Sequence, residues 1–192
     1  LAEELGTGLV EYIGGPQFAH LLLGPLENLA VVEETVVREK ACDSINQLAG
    51  IMSDQQIQTF YLPLLHRLSS GEWFTSRTSA ALLFASVYEK IPLSMRADVH
   101  SMFVSLCTDE TPMVRRAAAR DMSALVKRMS PEVIINEMLP LYRRLSADDQ
   151  DSVRLLTVQN LVAMAEVLSP AETQQLLLSS ICGAFQDKSW RV

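Results

Sequence analysis

Leu145-Ser146-Ala147-Asp148-Asp149-Gln150-Asp151-Ser152-Val153-Arg154 is a polar stretch set between two apolar runs, and the arginine that closes it recurs. Arg38, Arg77, Arg115, Arg154 and Arg191 stand 39, 38, 39 and 37 residues apart, each opening a helical pattern. A fixed period of this size marks a stacked-repeat array, in which no unit buries its apolar face alone and each borrows its neighbours'. Other residues keep the same step. Pro92, Pro131 and Pro170 are each 39 apart, and Leu29, Leu68, Leu106 and Leu145 follow at 39, 38 and 39. Ser130-Pro131 and Ser169-Pro170 are helix starts: the hydroxyl accepts from a free N–H, and proline lacks the donor that would be unsatisfied there. Ser53-Asp54 starts a helix in the same register.

Apolar spacing supplies the helices between these marks. Val114, Ala117, Ala118, Met122, Leu125 and Val126 fall on one face at 3.6 residues per turn, as do Val153, Leu156, Val158, Leu161, Val162 and Ala165. No segment alternates as a strand would. The expected fold is all-α, a superhelix of stacked antiparallel helix pairs forming one array over 1–192. A partial repeat (1–15) precedes repeats near 16–52, 53–91, 92–129 and 130–168, and a partial repeat (169–192) follows. Residues 1–13 are expected as the second helix of a broken repeat. The helix pairs are expected near 17–30 and 34–49, 54–69 and 75–90, 93–107 and 111–128, and 131–146 and 150–166. A further helix follows at 170–186, with another starting at 188. Pro25, Pro63 and Pro140 sit inside first helices and predict a recurrent kink.

Composition narrows the functions on offer. The chain has 192 residues, 48% of them hydrophobic, and carries a net charge of -7 from 16 Lys and Arg against 23 Asp and Glu. That content builds an ordered core and gives no general attraction for nucleic acid or an anionic membrane. Cys42, Cys107 and Cys182 are far apart, lack CxxC spacing and lie in apolar runs, so they read as buried, reduced thiols of a cytosolic protein. No apolar run is long enough to span a bilayer. The first residues lack a signal-peptide layout, and the chain reads as an internal piece of a longer array. His20, His66 and His100 are isolated, and no HExxH, GxGxxG or GxxxxGK[ST] occurs. No catalytic residue, metal or cofactor is expected.

The loops inside the repeats are where function is expected, because a repeating geometry aligns them along one edge. Asp109 with Arg115, and Asp148 with Arg154, form a structural ladder: a guanidinium can bridge loop carboxylates and carbonyls between repeats. Arg38 has Val32 where that aspartate would stand. Trp73 and Phe74 are adjacent at a helix start, where both seldom fit a core, so each reads as a core anchor or a partner contact. Arg116 points about 100° away from Arg115 around the helix and is surplus to the ladder. Trp190 reads either as core, in the register of Val153, or as a contact. The carboxylate pairs Glu33-Glu34 and Asp148-Asp149 lack converging ligands and read as solvated, partner-facing loops.

The stretch Leu145 to Arg154 fits the Leu-x-x-Asp-x-x-x-x-Val-Arg pattern of HEAT repeats, and Leu106 to Arg115 places Asp109 likewise. The loops go further. Val31–Arg38, Trp73–Ala80, Asp109–Ala119, Asp149–Leu156 and Asp187–Val192 closely resemble, in order and spacing, successive repeats of the scaffold (A, 65-kilodalton regulatory) subunit family of protein phosphatase 2A. The resemblance implies a non-catalytic scaffold whose loops dock interchangeable regulatory B subunits. The catalytic subunit would be held mainly by repeats outside this stretch, which matches the family's N-terminal half. It implies B-subunit contacts at Glu33, Glu34, Trp73, Phe74, Thr75, Arg77, Pro112, Met113, Arg116, Asp149, Asp151, Trp190 and Arg191. The expected location is cytoplasmic, with the nucleus as a second compartment. The alternative function is a generic HEAT-repeat adaptor for other protein partners.

Overall fold

The computed structural model describes all 192 residues; 74% are helical and none lies in a strand. The chain divides into two compact units, Leu1–Leu106 and Cys107–Val192.

In the first unit, α1 spans residues 16–29, a 3-10 stretch (Pro16–Leu22) running into an α-helix (Leu23–Leu29). Helix α2 is Thr35–Ile51, and α3 spans residues 54–69. Helix α4 covers residues 74–90 in three pieces, Phe74–Ala81, Phe84–Val87 and a 3-10 turn Tyr88–Lys90. Helix α5, Leu93–Cys107, ends at the boundary between the units. The core runs through Leu26, Ile45, Leu48, Ile57, Leu64, Leu65, Leu68 and Phe84, all buried. Phe103 of α5 meets Phe84 edge-on at 5.2 Å, and His100 stacks on Tyr88 at 5.6 Å.

In the second unit, α6 is Pro112–Val126, α7 spans residues 131–146, α8 is Asp151–Val167 and α9 spans residues 170–184. Val114, Met122, Leu125, Tyr142, Leu145, Val153, Leu161 and Met164 are buried. Helices α6 and α8 lie side by side, and the Asn160 amide Nδ2 donates to the Ala119 carbonyl at 3.0 Å.

The sequence marks explain most of these boundaries. Ser53 and Ser169 form capping boxes with Gln56 and Glu172, each serine oxygen accepting from the backbone N–H three residues on. Ser130 has Val133 at that position and makes no side-chain cap. The expected proline kinks take a definite form. In α3 and α7 a single π turn, Ile57–Tyr61 and Ile134–Met138, stands directly before Leu62-Pro63 and Leu139-Pro140. Leu62 N–H donates to Ile57 O and Leu139 N–H to Ile134 O, five residues back, so the widened turn absorbs the donor that proline lacks. Pro25 falls in the first turn of its α-helix, where no donor is needed.

Five expectations are corrected. Residues 1–13 form turns with one 3-10 piece, Thr7–Leu9, and not a helix; Gly6 and Gly8 weaken helical propensity there. Residues 188–192 form a turn. Cys42 and Cys107 are buried, but Cys182 is exposed, as is Val162 on the outer side of α8. Helix α4 is interrupted at Leu82-Leu83 without glycine or proline. The Leu82 carbonyl accepts from Asn46 Nδ2 and the Leu83 carbonyl from the Tyr61 hydroxyl, both at 3.0 Å.

Candidate docking edges

Four of the five register arginines do the same local work. In each, Nη1 donates to the two carbonyls five and six residues back, stapling the loop to the first turn of the helix that follows. Arg38 holds Val32 O and Glu33 O at 2.8 and 2.6 Å, and Arg77 holds Gly71 O and Glu72 O at 2.8 and 2.7 Å. Arg115 holds Asp109 O and Glu110 O at 2.8 and 3.1 Å, and Arg154 holds Asp148 O and Asp149 O at 2.8 and 3.2 Å. These carbonyls sit where the chain leaves one helix and enters the next, so the staple fixes loop shape before any partner arrives.

The second unit adds a charge link from loop to loop. Arg115 Nε and Nη2 donate to the two Asp148 oxygens at 2.6 and 3.0 Å. Arg154 Nε and Nη2 reach Asp187 at 2.7 and 2.9 Å. Each aspartate also closes its own turn: Asp109 accepts from Thr111 N–H, Asp148 from Gln150 N–H and Asp187 from Ser189 N–H, at 2.7–3.0 Å. Arg154 is only 5% exposed, which a guanidinium tolerates because every face of its fork is satisfied. Burial alone would push the Asp148 carboxyl up, but the Arg115 guanidinium and the Gln150 N–H outweigh it and hold it below its ordinary value. The Arg154 guanidinium and the Ser189 N–H hold Asp187 down at about 2.

The first unit has no aspartate at the corresponding loop position. Gly71 stands where the aspartate would, six residues before Arg77, and a Cβ there would collide with the Ser76 side chain. Neutral hydroxyls join the loops at 31–34 and 71–75: Thr75 Oγ1 donates to Val31 O at 2.9 Å and Ser79 Oγ to Ala30 O at 2.6 Å.

The staple to the carbonyls five and six residues back, and not the bare arginine-to-arginine step, defines the register. Asp109–Arg115 and Asp148–Arg154 are both six apart, whereas Arg191 follows Asp187 by four and lies over the Trp190 ring at 5.7 Å. Arg191 is thus not the fifth rung that its spacing from Arg154 suggests.

What remains outward is a smaller set than the sequence proposes. In the first unit Glu33, Glu34 and Glu72 are exposed and Trp73 is 75% exposed. Phe74 and Arg77 are half-buried, and Thr75 is buried, its hydroxyl turned inward to Val31 O. The bond from Thr75 to Val31 brings the two loops, 31–34 and 71–75, to a single edge. In the second unit Pro112, Arg116, Asp149 and Arg191 are exposed, with Met113 at 50% and Trp190 at 90%. Asp151 is half-buried and accepts from Ser189 Oγ at 2.9 Å. Trp190 borders an apolar groove of about 550 Å³ between α8 and α9, with Val158, Leu161, Val162, Ile181 and Phe185. Nothing at these edges gathers three or more His, Cys, Asp or Glu side chains in position to hold a metal ion. No helix is long and apolar enough to cross a membrane.

Stacked helix pairs with arginine-stapled loops define a helical-repeat solenoid. A designed armadillo repeat protein, solved in complex with the peptide (KR)4, superposes with a TM-score of 0.60 over 96% of this chain and 81% of its own, at 18% identity. Cex1p does so with a TM-score of 0.60 over 88% of this chain and 33% of its own, at 14% identity. At those identities the likeness is one of fold alone. No family model matches the chain.

Among curated proteins, the PP2A regulatory A subunit of Schizosaccharomyces pombe is 46% identical over 193 residues, covering all of this chain and 32% of the relative. Its Saccharomyces cerevisiae counterpart is 36% identical over 203 residues, again covering all of this chain and 32% of its own. The beta isoform of the human 65 kDa regulatory A subunit of serine/threonine-protein phosphatase 2A is 52% identical over 129 residues, covering 66% of this chain and 21% of its own. The chain belongs to this family of PP2A regulatory A subunits. It spans about a third of the length of the relatives it matches end to end.

Proposed function

We propose that this chain is a scaffold segment, without catalysis of its own, of a serine/threonine protein phosphatase 2A holoenzyme, and that its loop edges dock regulatory B subunits. The observation that carries the reading is the end-to-end identity of 46% to a PP2A regulatory A subunit. The distribution of side chains supports it. The arginines that repeat are spent on holding the loops, and large side chains that fit no internal role, Trp73, Met113 and Trp190, face solvent at those same loops. Exposed tryptophan and arginine are the residues most enriched among binding hot spots. In the first unit Trp73 is the anchor and Glu33, Glu34 and Phe74 form its surround. In the second, Met113 and Arg116 on α6 and Trp190 beyond α9 play that part, with Pro112, Asp149 and Arg191 around them. The catalytic subunit is held mainly by repeats beyond this third of the scaffold, and the holoenzyme works in the cytoplasm and nucleus.

Binding measured by calorimetry between the chain and a purified regulatory B subunit tests the proposal. Trp73→Ala and Arg116→Glu each weaken binding by tenfold or more, about the 2 kcal/mol of a hot-spot truncation, with helical ellipticity unchanged. Unaltered affinity in both variants, or phosphatase turnover by the isolated chain, overturns it.

A further inference from the structure

The break in α4 is made by side chains from other helices. Asn46 on α2 gives its Nδ2 to Leu82 O, and Tyr61 on α3 contacts Leu83 O through its hydroxyl, both at 3.0 Å. The same hydroxyl lies 3.3 Å from Asn46 Oδ1 and 3.0 Å from Ser86 Oγ, and Ser86 Oγ also reaches Leu83 O at 3.0 Å. In an unbroken helix those two carbonyls would accept from N–H groups four residues on. Here side chains reach both carbonyls from the side, while Leu82 and Leu83 N–H tighten onto Ser79 O and Ala80 O, three residues back. Tyr61 and Leu83 are fully buried, so the bond between them is shielded from water, while Asn46, Leu82 and Ser86 are half-buried.

The break divides α4 into two halves with separate anchorages. The first half, Phe74–Ala81, opens at Trp73 and is fastened to the preceding repeat through Thr75 to Val31 O and Ser79 to Ala30 O. Cys42 Sγ adds a weak contact to Ser79 O at 3.7 Å. The second half ends at Lys90, whose Nζ donates to the carbonyls of Ala49, Gly50 and Met52 at 2.6, 3.1 and 2.9 Å and so closes the C-terminus of α2. A continuous helix has one axis and turns 100° per residue, which fixes the direction of one end relative to the other, and a break removes that constraint. The interruption frees the Trp73 end to follow the first repeat's loop, while the Lys90 end follows α2.

We infer that Asn46 and Tyr61 form a latch that holds α4 broken and thereby positions Trp73 for docking. The inference rests on the docking role proposed above. Tyr61 and Asn46 touch no partner; they are positioning residues, and the orientation of Trp73 is their output. Two other features of the network fit a latch that stays closed. The tyrosine hydroxyl is kept neutral because burial pushes its ionisation up, despite the bond to Ser86. It also ties α3 to two other segments, through Asn46 on α2 and through Leu83 and Ser86 on α4, so losing it loosens both attachments.

Tyr61→Phe tests this in the whole 192-residue chain, because phenylalanine keeps the ring and removes only the oxygen. Ile57→Val, a buried methyl deletion on the same helix, is the control for stability alone. Three readouts are taken. Hydrogen exchange at residues 82–87 accelerates about five- to tenfold in Tyr61→Phe, the scale of one lost buried hydrogen bond, and stays as in the native chain in Ile57→Val. The fluorine resonance of 5-fluorotryptophan at Trp73, isolated in a Trp190→Phe background, shifts or broadens only in Tyr61→Phe. Affinity for a purified regulatory B subunit falls several-fold in Tyr61→Phe and not in Ile57→Val. If exchange and the Trp73 resonance in Tyr61→Phe match those in Ile57→Val, the latch is overturned. If those two change but affinity holds while Trp73→Ala still weakens binding, the positioning role is overturned. If Trp73→Ala itself binds normally, the docking reading fails, and the exchange and fluorine arms still judge the latch.

Discussion

Asp148→Asn isolates what the charge link between loops contributes. The substitution keeps side-chain shape and the acceptor that closes the turn onto Gln150 N–H, but it presents an amide N–H₂ to the Arg115 fork in place of an oxygen. The pair is neither exposed nor fully buried: the side chains are 17% and 6% accessible, against 51% and 53% for the Lys127–Glu166 pair on the same unit. An exposed pair contributes about 0.2–1 kcal/mol. Breaking a buried one costs roughly 3–5 kcal/mol, because the remaining charge is stranded. Arg115 keeps its two loop carbonyls after the change, so the lower part of that gap applies, and the expected loss is about 2 kcal/mol. A two-state midpoint would fall by about 4–8 °C for a chain of this length. Stacked repeats need not melt in one step, however, so hydrogen exchange is the sharper assay. Amides at 109–115 and 148–154 should exchange about thirtyfold faster, those of the first unit at their native rate, and Lys127→Ala should change little. A loss no larger than that of Lys127→Ala would refute the argument that the ladder holds the second unit's loops.

Acid should act on the same link. Asp148 and Asp187 both titrate below their ordinary value of 3.8 in the folded chain, Asp187 at about 2, so their ionised forms favour folding above about pH 4. That contribution drains away as the pH falls from about 4 to 2. The ellipticity of Asp187→Asn should vary less over that window than the native chain's, and superimposable acid titrations would sink the idea. Gly71→Asp, which puts an aspartate six residues before Arg77, should destabilise by about 1–3 kcal/mol, since the new Cβ meets Ser76 Oγ. Chemical denaturation checks this, and Gly71→Asp with Ser76→Ala should recover part of the loss.

Legibility in the sequence follows the distance over which each cause acts. Helix starts at 54, 131 and 170 were readable because Ser–Pro and Ser–Asp signals act within three residues. The proline step at 63 and 140 announced a disturbance at the right place; its form, one π turn, depends on how the carbonyls ahead of proline find donors, which residue type alone does not specify. The break at Leu82-Leu83 was invisible because its causes, Asn46 and Tyr61, lie 36 and 22 residues from the carbonyls they hold, while Ala80 to Ser86 themselves favour helix. Arg191 misled for another reason. Counting arginine to arginine follows the more conspicuous residue, whereas the spacing the geometry enforces is six residues from loop aspartate to helix arginine. Measured that way in the second unit, where both stapling arginines follow a loop aspartate by six, Arg191 drops out from sequence alone. Thr75 and Asp151 read as surface polar groups and are instead spent on Val31 O and Ser189 Oγ, partners that only the stacking of repeats brings near.

A division of labour inside the repeat follows from these cases. Residues that keep the period, such as Arg38, Arg77, Arg115 and Arg154, face inward onto carbonyls, because only a group with the same task in every repeat can recur at a fixed step. Trp73 and Trp190 have no counterpart 39 residues earlier, nor Met113 and Arg116 39 residues later: positions 34 and 151 are Glu and Asp, and 152 and 155 are Ser and Leu. The stacking of helix pairs does not demand them, so whatever retains a tryptophan three-quarters exposed to water at Trp73 acts on one repeat and not on all. A partner that contacts particular repeats has that property, and a general requirement for folding does not. In an array of this kind the period therefore reports the fold, and the departures from it report the docking surface.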